Sequence, residues 1–125
     1  MPDTRNSLLI TNNPLVKEKY ADKQETEFLV EDLHGVLKTV RDHIHRGRKL
    51  LTHPLSGSVK PNESPYKTVL LSKSFEKTDT ESVMLIEQCI LTAQKFEKQI
   101  IHDKHLHDLQ TVDLSLISDV LRRTA

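Results

Sequence analysis

Near the start of the chain, Ser7-Leu8-Leu9-Ile10-Thr11 forms an apolar run without alternation, and Asn12-Asn13-Pro14 follows it at once. An unbroken run of this kind suits a strand covered on both faces, because a half-exposed strand would alternate. The next residues stop it and start a helix: asparagine is a strong N-cap, and proline at the first helical position gives up only an N–H that has no partner there. We therefore read Ser7–Thr11 as a strand and residues 15–20 as a short helix. A strand passing straight into a helix belongs to layered α/β folds, where such a junction turns backbone N–H groups and a positive dipole end toward an anion. The same residues also serve a plain strand-to-helix turn that binds nothing.

The pattern then repeats. Residues 25–30 form a second short strand, and Leu33, Val36, Leu37, Val40 and Ile44 recur at helical spacing over 32–46. Asp32 can cap that helix, Gly47 stands where a C-terminal glycine belongs, and His45 and Arg46 suit the negative end of its dipole. His34, His43 and His45 are read as solvated on its outer side. Residues 48–52 make a third strand and 66–72 a fourth. Thr78 and Glu81 have the spacing of a capping box, opening a helix whose stripe of Val83, Ile86, Cys89, Ile90, Ala93, Phe96 and Ile100 carries it to about residue 101. Residues 102–108 read as a polar connector. Asp113 caps a last helix with Leu114, Ile117 and Leu121 inward and Arg122 and Arg123 at its end.

Strands alternating with helices predict a small three-layer α/β domain, with a largely parallel sheet of about four strands flanked by helices. Because no crossover helix separates the third and fourth strands, an antiparallel pair joined by a long loop is the alternative there. At 125 residues the chain fits one domain, taken as 1–125.

Eighteen basic residues balance eighteen acidic ones, so the positive field of a nucleic-acid binder or an anionic-membrane binder is missing. With no Trp, two Tyr and three Phe, a base-stacking platform is poorly supplied. The single cysteine, Cys89, has no partner for an internal disulfide, and neither a secretory leader nor a spanning apolar run is seen; the chain reads as cytoplasmic. Cys89 itself falls on an apolar stripe and reads as a packed thiol. No cofactor or metal is expected: His102, His105 and His107, with Asp103 and Asp108, lack the spacing of a zinc site. Oligomeric state is left open.

The candidate site lies in the third-to-fourth strand connection. Residues 53–65 hold three prolines, three serines, one glycine, one lysine and one asparagine, a loop by composition and too stiff for a slack tether. His53 leaves a strand end, where α/β sheets open their crevices. Ser56, Gly57 and Ser58 can form an anion nest, with Lys60 adding charge. Asn12, Asn13, Asn62 and Tyr66 complete the candidate ligand-binding set, which suits a small anion such as a phosphate or carboxylate. It is no Walker loop, since the second glycine and the Gly-Lys-Ser/Thr step are absent. A small hydrolase or transferase using His53, Ser58 or Lys60 as nucleophile and base is the rival, and a pure protein-interaction module is the third reading.

Three stretches resemble the GrdX family: LLITNNPLV at 8–16, LLTHPLSGSVKPNESPYK at 50–67 and VDLSLI at 112–117. The likeness runs from about Leu8 to Leu121. It implies a setting beside the glycine, sarcosine and betaine reductases of amino-acid-fermenting anaerobes, and so a glycine reductase component as a partner. It supplies no functional residues to carry over. Our expectation is an accessory protein that binds a small anion or a reductase component where the 12–14 turn meets the 53–66 loop.

Overall fold

The computed structural model describes residues 7–55, 64–95 and 103–124. In chain order the elements are β1 (Ser7–Thr11), α1 (Pro14–Tyr20), β2 (Glu25–Phe28), α2 (Leu33–His45), β3 (Thr68–Ser72), α3 (Thr80–Gln94) and α4 (Asp103–Thr124). The sheet has order β2-β1-β3. Its first pair is parallel, with Leu8 opposite Glu25 and Thr11 opposite Phe28, and its second is antiparallel, with Leu9 opposite Leu70.

Every residue of β1 is buried, because helices cover both faces of the central strand. Leu8 and Ile10 point one way with Val69 and Leu71, into a core shared with Val36, Leu37, Val40 and Ile44 of α2 and Ile86 and Ile90 of α3. Leu9 and Leu70 point the other way, against Val16 and Tyr20 of α1 and Ile117 and Leu121 of α4. Period-two alternation of strand side chains thus feeds two helical layers. Among the described residues no helix is long and apolar enough to cross a membrane.

The sheet corrects the sequence reading in two respects: it has three strands, not four, and is only partly parallel. In the 48–52 segment Leu50 alone bridges Leu71, antiparallel. Bonds from Leu51 N–H to Leu70 O at 2.9 Å and from Ser72 N–H to Lys49 O at 2.8 Å hold it there. The ladder goes no further because side chains take the next backbone groups. Lys49 N–H donates to the Ser72 hydroxyl, Leu70 N–H to the Thr52 hydroxyl, and the Arg48 guanidinium occupies the Ser72 carbonyl. Such local side-chain bonds compete with strand pairing. The antiparallel direction is the one held as an alternative for this connection.

Local chemistry sets most helix ends. Asn13 caps α1, its Oδ1 accepting from Leu15 N–H, with Pro14 in the first turn. Asp32 caps α2 by accepting from Gly35 N–H at 3.0 Å. Gly47 follows α2 with φ of 114°, and a side chain there would collide with the Glu76 carbonyl.

Further readings of the helices are corrected. Asp79, not Thr78, caps α3, because its carboxylate accepts from both the amide and the hydroxyl of Ser82. That helix closes at Lys95, while Phe96 and Ile100, placed on its stripe, lie outside the described residues. Residues 103–108 are helix, not connector, and Asp113 sits inside α4. His43 is buried, not solvated, with Nε2 3.2 Å from Glu27 Oε1; it stands at the edge of the α2 apolar stripe, where β2 covers it.

Candidate functional site

The β1–α1 turn is fastened by its own side chains. Asn12 Nδ2 donates to Glu31 O at 2.9 Å and to Pro65 O at 2.7 Å, and its Oδ1 accepts from Lys67 N–H at 2.8 Å. One amide therefore ties three chain segments together: the turn, the exit of β2 and the return of the long loop. Asn13 points the other way. Its Nδ2 donates to Gln110 O at 2.8 Å and to Asp113 Oδ2 at 3.0 Å, both on α4.

Asp113 anchors a buried polar cluster. The same Oδ2 accepts from the Thr68 hydroxyl at 2.8 Å, and Thr68 Oγ1 lies 2.7 Å from Thr11 Oγ1, which in turn accepts from Asn13 N–H. The negative group beside the start of α1 is thus one of the chain's own carboxylates, placed where the helix dipole favours it. Burying a charge in this way is tolerable because donors surround it.

Two concavities flank the cluster. The larger, a groove of about 470 Å³, is lined by Asn12 and Pro14 of the turn, residues 28–31 at the end of β2, Pro65 and Tyr66 of the loop, and Leu106 of α4. It lies beyond the carboxyl ends of the two parallel strands, the usual place for a crevice in α/β sheets. Its walls are mainly apolar, and Glu31 is the only charged side chain among the described lining residues. Val30 on its rim is 90% exposed, and Tyr66 is steadied by Gln110 Nε2, which donates to its hydroxyl at 2.8 Å.

The smaller hollow, about 40 Å³, is lined by Thr52, His53, Lys67, Thr68 and Asp113, with Leu116, Ile117 and Val120 of α4 as its apolar wall. Lys67 is half-buried. Burial pushes its ammonium below the ordinary lysine range, against the pull of the Asp113 carboxylate, which favours the charge. Burial likewise pushes the Cys89 thiol up, so at neutral pH the sulfur stays protonated.

The structure thus brings Asn12 and Tyr66 to one groove and places His53 in another hollow; Asn13 is buried between α1 and α4. Ser56, Gly57, Ser58, Lys60 and Asn62 lie outside the described residues, as does His102. His105 and His107 are exposed on α4, and among the described residues no group of three or more His, Cys, Asp or Glu could hold a metal ion. Sequence reasoning missed Lys67, Thr68 and Asp113 as a cluster, and the 28–31 wall of the groove. An acid inside a run of helical apolar positions was the one available signal for Asp113.

A family model described as GrdX-like protein matches residues 8–122. Neither a curated protein nor a solved structure matches this chain.

Proposed function

We propose, from the premise that this chain belongs to the GrdX-like family, that it is an accessory protein of the glycine, sarcosine and betaine reductase systems. Its groove at the carboxyl ends of β1 and β2 docks a reductase component. The observation that carries this reading is the groove itself: the 12–14 turn and the end of the long loop build it together, held by the Asn12–Pro65 bond of 2.7 Å.

Its lining favours a polypeptide over a small anion. Apolar walls with few polar groups bind by removing apolar surface from water, and the Glu31 carboxylate at the wall repels anions. The small-anion reading finds its described basic side chains elsewhere, since His53 and Lys67 line the other hollow beside Asp113.

The test is direct binding. The purified chain is titrated with each separately purified reductase component by calorimetry, with phosphate and acetyl phosphate as small-anion controls. The docking reading expects a saturable complex with a component. Heat only with the anions would move the assignment to the anion reading, and no binding to any component would end the docking one.

A further inference from the structure

We propose that the outer face of α3 is a self-pairing surface, through which two copies of this chain join with their α3 helices antiparallel about a two-fold axis at Gln88.

The observation is a stripe. Glu81, Met84, Gln88, Leu91 and Lys95 follow one another at spacings of three, four, three and four residues, and every one of them is exposed. This is the spacing of a coiled-coil seam, the pattern by which one helix meets another. The intrachain face of α3 is a different one: Ile86, Ile90 and Ala93 are buried in the core shared with α2. On the outer side Met84 is 68% and Leu91 61% exposed. Scattered apolar side chains are ordinary at a surface, whereas two on one stripe, two turns apart, form a patch.

The stripe is also complementary to itself. Outward from Gln88 an apolar residue stands on each side, Met84 and Leu91, followed by an acid at one end, Glu81, and a base at the other, Lys95. Lys95 keeps a helical backbone as the C-cap, so the two charges stand about 21 Å apart along the axis at 1.5 Å per residue. A second copy turned over about Gln88 sets the partner's Lys95 against Glu81, the partner's Glu81 against Lys95, and the partner's Leu91 beside Met84. The two Gln88 amides then face each other, and each can both donate and accept. A single polar residue in an apolar seam is what fixes register in such pairs.

Charge selects the antiparallel direction. A parallel pair would oppose acid to acid and base to base and align the helix dipoles, which the antiparallel pair opposes. Glu87, flanking the seam near the axis, is answered within its own chain, 3.9 Å from Arg41 Nε and 3.8 Å from His45 Nε2. A patch that matches itself in this way closes as a two-fold dimer. It shares no residue with the groove at the ends of β1 and β2, so the inference goes beyond the docking reading and does not depend on it.

Sedimentation equilibrium of the intact chain, over a concentration series up to millimolar, is the test, with circular dichroism checking that each variant is folded. The expected result is a reversible monomer–dimer equilibrium. Met84→Glu and Leu91→Glu each weaken it at least about tenfold, because the axis places every substitution in the interface twice. Glu81→Lys and Lys95→Glu each weaken it, and the two combined restore it. A monomer at every concentration overturns the proposal. A dimer undiminished by Met84→Glu and Leu91→Glu assigns pairing to another face and overturns this one, and a double charge reversal that fails to restore pairing overturns the antiparallel register.

Discussion

Asn13 Nδ2 donates to Asp113 Oδ2 at 3.0 Å, across 100 residues of sequence. This bond joins the first βα junction to the middle of the last helix, and Thr68 of β3 shares the same oxygen. Removing the carboxylate strands two buried donors. Asp113→Ala is expected to lower unfolding stability by about 3 kcal/mol, and Asp113→Asn by less, since it keeps an acceptor oxygen. Urea titrations of the three proteins check the order.

Asn12 serves as a staple between the turn, the β2 exit and the long loop. Asn12→Ala should cost about 2 kcal/mol and speed hydrogen exchange at the Lys67 amide, whose acceptor it removes. Asn12→Asp should be worse, because a carboxylate oxygen would then face the carbonyls of Glu31 and Pro65. Exchange rates and denaturation midpoints together separate loss of a bond from new repulsion.

Gly47 is held at φ of 114°, against the Glu76 backbone. Gly47→Ala meets both a backbone conformation unfavourable to side chains and a collision with a main-chain oxygen that cannot swing aside. A loss of about 2–3 kcal/mol is expected, and thermal unfolding measures it.

Much of the fold was legible because it is written in local chemistry. Asn13 and Pro14 start α1, Asp32 starts α2, Gly47 ends it, and the apolar runs of β1 and β3 need no partner to be read. What was not legible depends on side chains distant in sequence. Residues 48–52 have a strand's composition, yet Thr52, Ser72 and Arg48 divert the backbone groups a ladder would use. Asp113 looks like a cap because it interrupts an apolar stripe; only its partners on β3 and the β1–α1 turn explain a carboxylate in mid-helix. For the site, proline and asparagine content pointed to the long loop, whose return joins the 12–14 turn at Pro65. Nothing local revealed that Glu31 and Leu106 would complete the groove, or that His53 would open onto another hollow.

Hydrogen bonds from the Ser82 hydroxyl and amide hold the Asp79 carboxyl below its ordinary value of 3.8. The lowered folded value means that this cap stabilises above the ordinary value and fades as pH falls through the lowered one. The stability gap between wild type and Asp79→Ala should therefore be constant above about pH 5 and narrow as the solution is taken below 3.8. Helical circular dichroism during urea unfolding at a series of pH values reads this, and a gap that does not narrow in acid would contradict it.

The docking account rests on an apolar groove with Val30 standing 90% exposed on its rim. The most direct measurement compares the affinity of a purified reductase component for wild type, for Val30→Glu, and for Met84→Glu, a control on the exposed side of α3. The account predicts at least about tenfold weaker binding for Val30→Glu, equivalent to ~1.4 kcal/mol, with Met84→Glu unchanged. Equal affinity for wild type and Val30→Glu would contradict it.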